Sequence, residues 1–225
     1  MLSIELNQNE KLILNLVQDH LKENRKFNIK RLLSLIQSRI KFSEINLNKN
    51  GIETILRTLI NKNYLAEGST LTKPNVLDNE KRNTIYNFIL ENPGTYFNKL
   101  VKNLNLNSNV IIWHLKILEK FNYIQKTLID NRMIYFKHNM NLSKVQKIYF
   151  LKKKEIKRIL NFFKENNSGV TKTRLAESLN MHYNTLKKYV NKLEKLSLIK
   201  KLEKQNSIVY CLNLKKYNDI ISNVN

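Results

Sequence analysis

Apolar residues recur every three to four positions along most of this chain, the spacing expected when one face of a helix is buried. Within residues 107–124, three of them repeat at i, i+4 and i+7: Ile111, Leu115 and Leu118. Asn107 or Ser108 is suited to cap the start of this helix. We therefore predict a helix over residues 108–121 that leads into a short strand.

The same periodicity predicts most of the remaining elements. Further helices are expected at residues 9–23, 28–38, 49–62, 78–90 (capped by Asp78) and 96–104. Alternation and turn residues predict short strands at 64–66, 123–129 and 133–138, the last two joined by a tight turn at Asp130-Asn131. Two prolines and four glycines interrupt the chain, so few sharp breaks are expected.

An internal repeat becomes visible when 75 is subtracted from the numbers of the last third of the chain. The two stretches then register without a gap, with these pairs among the matches: Gly94 and Gly169, Leu100 and Leu175, Asn109 and Asn184, Tyr135 and Tyr210. A match through three helices and a hairpin indicates a duplicated structural unit. The first helix of the last copy is expected to begin near Ser143 and to continue through Lys152, Lys153 and Lys154 as a long basic linker.

A divergent third copy is expected at the N-terminus. At an offset of 59, its apolar residues fit those of the middle copy if an insertion around residues 39–46 is allowed. The predicted fold is thus mainly α with small β-hairpins (α+β), in three domains. We place them at 1–75, 76–141 and 142–225, the last carrying the basic linker helix.

The charge of the chain narrows the range of partners. Lysine and arginine number 40 against 18 acidic residues, for a formal charge of +22. Such a field attracts duplex DNA, RNA or an acidic membrane surface, and charge alone does not choose among them. No apolar run is long enough to span a bilayer, and the first residues lack the pattern of a signal peptide, so a cytoplasmic protein is expected.

The segment ENPGTYFNKLVKNLNLNSNVIIWHLKILEKFNYI, residues 91–124, resembles archaeal-type winged helix-turn-helix transcriptional regulators of the ArsR/MarR-like kind. The resemblance extends over residues 77–213 and is weak before them. It implies tandem winged helices whose third helices enter the major groove of double-stranded DNA, with basic wings on phosphate or in the minor groove. It also implies a protein at the nucleoid, and homodimers are usual among such regulators.

The resemblance assigns DNA contacts to particular side chains of the two third helices and their wings. In the middle domain these are Asn107, Ser108, Asn109, Ile112, Trp113, Lys116 and the wing residue Arg132. In the last domain these are Tyr183, Asn184, Lys187, Lys188, Asn191 and the wing residues Lys200, Lys201 and Lys204. Phosphate contacts are expected from Lys99, Lys102, Lys172 and Arg174. Asparagine suits adenine because its amide donates and accepts at once.

Two other hypotheses about the function stay open. The outward pair Ile112 and Trp113 also fits a winged-helix interaction scaffold, such as a general transcription subunit or a membrane-sorting adaptor, with Trp113 packed on a partner. A sequence-blind chromatin or RNA binder would share the charge. Four scattered histidines and one cysteine predict no metal site, the sequence predicts no cofactor, and no nucleophile–base pattern suggests an enzyme.

Overall fold

A computed structural model describes residues 6–23, 26–40, 47–166, 169–204 and 207–221. The helices are α1 (Gln8–Leu21), α2 (Ile29–Ile40), α3 (Lys49–Asn61), a 3-10 helix (Lys73–Asp78), α4 (Glu80–Glu91), α5 (Phe97–Leu104), α6 (Ser108–Lys120), α7 (Leu142–Leu151), α8 (Lys154–Glu165), α9 (Lys172–Ser178), α10 (Tyr183–Lys195) and α11 (Leu214–Ile221). The strands are β1 (Thr95–Tyr96), β2 (Ile124–Ile129), β3 (Arg132–Lys137), β4 (Ile199–Lys204) and β5 (Ser207–Leu212). The chain is therefore mostly helical with small antiparallel sheets, as the periodicity predicts.

The chain divides into two compact units, residues 1–140 and 141–225. The first unit holds two separate clusters of buried apolar side chains, one within residues 6–65 and one within residues 76–135. We call these its N-terminal part and its middle part. The second unit holds a single cluster within residues 150–212. Each cluster is built from the faces that the helical spacing marks as apolar.

The N-terminal part has three packed helices and, within its described residues, no hairpin. The strand predicted at residues 64–66 is wrong. Gly68 N–H donates to the Phe27 carbonyl, and Phe27 N–H donates to the Ser69 carbonyl, so the chain after α3 pairs with the segment before α2. The N–H groups of Tyr64 and Leu65 both donate to the Leu59 carbonyl at the end of α3. Because these groups are bonded locally, residues 64–66 form no strand ladder. Of the expected insertion, residues 41–46 lie outside the described residues.

The junction between the two parts of the first unit is bonded from both sides. Gln18 Nε2 donates to Thr72 Oγ1 at 2.9 Å, and the Tyr123 hydroxyl donates to the Lys73 carbonyl at 2.8 Å. The 3-10 helix runs across the boundary expected at residue 75, and its Val76 is buried in the middle cluster. Residues 73–78 thus belong structurally with the middle part.

The middle part contains a three-stranded antiparallel sheet in the order β1-β3-β2. Asp130 and Asn131 connect β2 to β3 with φ of 49° and 59°, the two left-handed residues that a tight hairpin turn requires, which confirms the predicted turn. Strand β1 was not predicted from the sequence. The cap of α4 is Asn79, not Asp78, because the Asn79 side chain accepts from Arg82 N–H at 3.1 Å.

The second unit begins with two helices where one long basic helix was expected, so that prediction is wrong. The helices α7 and α8 are separated at Lys152 and Lys153, and Lys153 has extended backbone with ψ of 137°. The break lets Phe150 and Leu151, 2% and 4% exposed, turn into the same core that α8 covers. Burial of two large apolar side chains outweighs the cost of ending a helix in a lysine-rich stretch.

The middle part and the second unit share their local architecture at an offset of 75 residues. Adding 75 to the bounds of α6, β2 and β3 gives the bounds of α10, β4 and β5. The pairing of Thr95 with Tyr135 recurs as a bridge between Val170 and Tyr210. Gly169 has φ of +87° and faces Val209, so a side chain there would be strained and crowded.

Candidate nucleic-acid interface

Helix α6 follows α5 after a three-residue turn, residues 105–107, in which Asn105 has left-handed backbone with φ of 50°. The inner face of α6 buries Ile111, His114, Leu115 and Leu118 against the middle core. Because these side chains pack into the core, the opposite face of α6 is turned toward solvent.

The outer face of α6 is partly apolar. Ile112 is 40% exposed and Trp113 is 55% exposed, and Ser108, Asn109 and Lys116 are exposed around them. The Asn107 side chain accepts from Asn109 N–H at 2.8 Å and so caps the helix. Its carbonyl oxygen is thereby committed to the backbone, which weighs against the base contact expected of it.

Trp113 rests on a buried polar support that the sequence did not reveal. Arg82, 3% exposed, lies with its guanidinium carbon 5.5 Å from the centre of the Trp113 ring, and His114 meets that ring edge-on at 4.8 Å. Arg82 donates to the Val76 carbonyl at 2.7 Å and to His114 Nδ1 at 3.4 Å. Burial, then the charges of Arg82 and Lys81, lower the pKa of His114 below its ordinary value of 6.5.

Helix α10 occupies the corresponding place in the second unit. It buries Leu186, Val190 and Leu193 and begins after His182, whose Nδ1 accepts from Asn184 N–H at 3.3 Å. The exposed side chains of its first turns include Tyr183, Asn184, Lys187 and Lys188, together with Thr185. Four predicted contact residues therefore share one polar and cationic surface.

Asn191 differs from the other predicted residues of α10. It is half-buried, and its amide oxygen accepts from Lys172 Nζ at 2.7 Å. The Lys172 ammonium also lies 4.8 Å from the centre of the Tyr210 ring. Asn191 and Lys172 thus tie α10 to α9 and the hairpin, and we expect them to support the surface rather than contact a ligand.

Both hairpins carry exposed cations. Arg132 stacks over the Tyr96 ring at 4.9 Å, next to the exposed side chain of Met133. The cations exposed along β4 are Lys200, Lys201 and Lys204. On α5, Lys102 is exposed and Lys99 is half-buried, and on α9 Arg174 is exposed. Arg132 was predicted as a wing residue, but its stacking on Tyr96 could have been predicted only by knowing that β1 pairs with β3.

The described part of the chain contains neither a membrane-spanning helix nor a cluster of metal-binding side chains. None of its helices is both long and apolar enough to cross a bilayer. No three histidine, cysteine or acidic side chains among those residues come together where they would hold a metal ion.

Comparison with curated proteins gives a match over most of the chain. The chain is 35% identical over 182 residues to a curated protein of Methanocaldococcus jannaschii named as an uncharacterized HTH-type transcriptional regulator. The match covers 80% of this chain and 46% of that protein, so the chain spans less than half the length of its relative. No protein-family model matches.

A solved structure also aligns with the chain. ScpB from Mycobacterium tuberculosis is 10% identical, and the alignment covers 63% of this chain and 94% of that one with a TM-score of 0.25. A score this low carries no argument about fold or function.

Proposed function

We propose that the chain is a DNA-binding transcriptional regulator of the helix-turn-helix type, in which the second unit is a winged helix that places α10 in the major groove. The observation that carries the proposal is the continuous surface of Tyr183, Asn184, Lys187 and Lys188 at the start of α10. The 35% identical relative, named as a regulator of this type, supports it. Regulation by such a protein is a binding event and not an enzymatic one.

The side chains of α10 suit the two kinds of contact that recognition needs. An Asn184 amide matches the donor and acceptor that adenine presents in the major groove. Lys187 and Lys188 carry charges for phosphate or guanine, and phosphate contacts fix the register of a protein on the duplex. Recognition helices read bases from their N-terminal residues, where all of these lie.

The hairpin of the second unit carries further exposed cations. The β4 residues Lys200, Lys201 and Lys204 are exposed, as a wing on phosphate or in the minor groove requires. Contacts of this kind release counterions, so affinity should fall steeply with salt, with a slope of about −0.9 per phosphate neutralised. A protein of this kind would act at the nucleoid.

We assign base reading to α10 in preference to α6. At the α6 positions that correspond to Lys187 and Lys188 the chain has Ile112 and Trp113. Between them these two side chains offer one hydrogen-bonding group, the indole N–H, which only donates. The tandem arrangement therefore provides one groove-reading helix per chain in this proposal.

Selection of bound fragments from random duplex DNA tests the proposal, with Asn184→Ala and Lys187→Ala run beside the unaltered chain. We expect a discrete motif, with preference for one base pair relaxed in Asn184→Ala at a cost of about 1–3 kcal/mol. The matched control is Asn109→Ala, the corresponding position of α6, which should leave the motif unchanged.

Three outcomes would change or refine the proposal. Binding without any sequence preference, but with the same dependence on salt, would replace a specific regulator by a sequence-blind nucleic-acid binder. A palindromic motif with half-sites one helical turn apart would show that two copies of α10 act together, as a homodimer. A single unrepeated motif would assign recognition to one chain.

A further inference from the structure

We propose that the outer face of α6, formed by Ile112, Trp113 and Lys116 and called the α6 face below, docks an acidic segment of a partner protein that has one apolar side. This goes beyond DNA binding by α10 and does not depend on it. The partner segment would place apolar side chains on Ile112 and Trp113, and its carboxylates toward the surrounding cations.

Exposure of the apolar pair is the first observation. Ile112 and Trp113 are 40% and 55% exposed although they adjoin a well-formed core. Aromatic side chains are enriched at the centres of protein–protein interfaces, where charged groups are depleted. The corresponding pair in the second unit, Lys187 and Lys188, shows that the fold does not require apolar side chains at these positions.

The support beneath Trp113 is the second observation. Its ring is held against Arg82 and His114, and Arg82 is itself bonded to the Val76 carbonyl. A tryptophan fixed in this way loses little side-chain freedom when a partner covers it, so more of the contact energy appears as affinity. Preorganised tryptophans are frequent among the few residues that dominate binding energy.

The charges around the pair select the chemistry of the occupant. Lys116 lies one turn along α6, and Lys81 is exposed on α4, close enough to act on His114. The single carboxylate of α6, Glu119, is already bonded to Lys126 at 2.7 Å, and Asp78 acts on Arg82. Net positive charge at the rim favours an acidic partner.

The same charges disfavour a second copy of this chain as the occupant. A symmetric contact would bring Lys81 and Lys116 of both copies to the same patch. The chain as a whole carries a formal charge of +22, which adds long-range repulsion. The apolar pair also disfavours a role for α6 in reading the bases of duplex DNA, although isoleucine can contact a thymine methyl group.

The experiment selects random peptides displayed on phage against the full-length chain, in parallel with the full-length variant Ile112→Ser/Trp113→Ser. We expect peptides enriched on the unaltered chain alone to combine apolar residues with aspartate or glutamate. Labelled copies of them should bind the double variant about tenfold more weakly or worse. Lys116→Glu should also weaken them, whereas Lys187→Ala in the second unit should not.

Trp113 is the only tryptophan, so its emission reports directly on the α6 face. A bound peptide should shift that emission to shorter wavelength and protect it from acrylamide, and Trp113→Phe should retain most of the peptide affinity. Circular dichroism melting checks that the variants fold. The proposal is overturned if both proteins select the same peptides, if the peptides are not acidic, or if no peptide is selected.

Two further results would assign the face to another occupant. Protection of Trp113 by duplex DNA, with DNA affinity reduced in Ile112→Ser/Trp113→Ser as much as in Lys187→Ala, would make it a DNA contact. Concentration-dependent protection of Trp113 in the chain alone, with a dimer seen by light scattering, would make it a self-association surface. Failure of the α10 proposal would appear only in the DNA measurements, so the two proposals fail separately.

Discussion

Helices α6 and α10 have the same length and bury apolar residues at matching positions, but their outer faces differ at two central positions. Ile111, Leu115 and Leu118 correspond to Leu186, Val190 and Leu193 at an offset of 75. On the outer side, an isoleucine–tryptophan pair in α6 stands where α10 has two lysines. The buried stripe therefore specifies where the helix lies, and the outer residues are free to specify what it binds.

The supports beneath the two helices differ as well. In the middle part the buried Arg82 bonds to His114, whereas the corresponding residues of the second unit are the exposed Lys157 and the half-buried Tyr189. A lysine of the preceding loop, Lys153, lies 5.8 Å from the Tyr189 ring centre instead. Each outer face thus has its own inner arrangement.

Exchange of the outer pairs should produce the largest effect. In Lys187→Ile/Lys188→Trp, two cations leave the proposed groove surface, so DNA affinity at low salt should fall by about a hundredfold and the salt slope by about two. Fluorescence anisotropy with a labelled duplex at several salt concentrations measures both. Ile112→Ser/Trp113→Ser is the matched control and should leave affinity within about twofold; equal losses in both variants would show that both helices contact DNA.

Removal of the buried guanidinium should have the next largest effect. Arg82→Met leaves the Val76 carbonyl without its donor in a buried site, at a cost of about 2 kcal/mol in the free energy of unfolding. Urea denaturation followed by Trp113 emission reports on the first unit. Lys157→Met, the corresponding change on an exposed face, should cost less than about 0.5 kcal/mol by circular dichroism. Equal costs would mean that Arg82 is not a specific support.

The smallest expected effect is the dependence of the first unit's free energy of unfolding on pH. The folded pKa of His114 is lowered, chiefly by burial, so below about pH 6.5 the unfolded chain takes up a proton that the folded chain does not. The free energy of unfolding should therefore fall as the pH drops through that value and level off below the folded pKa. His114→Gln should flatten part of this dependence. His138, whose pKa is also lowered by burial, contributes in the same direction.

Most helices follow from periodicity because a buried stripe needs only local spacing to be recognised. The strand expected at residues 64–66 and the single helix expected through Lys152–Lys154 were wrong for different reasons. Tyr64 and Leu65 donate back to the Leu59 carbonyl of α3, whereas burial of Phe150 and Leu151 in the core of the second unit ends α7. Strand β1 likewise exists only because β3 lies beside it.

The sequence by itself determined the helical faces, the correspondence at 75 residues, the tight turn at Asp130-Asn131 and the excess of positive charge. Each of these depends on residue type and short spacing. Only the tertiary structure decided that Asn191 is bonded to Lys172, and that Trp113 is exposed over Arg82. Those outcomes depend on which distant groups compete for the same hydrogen bond or the same space, and a one-dimensional pattern does not contain that competition.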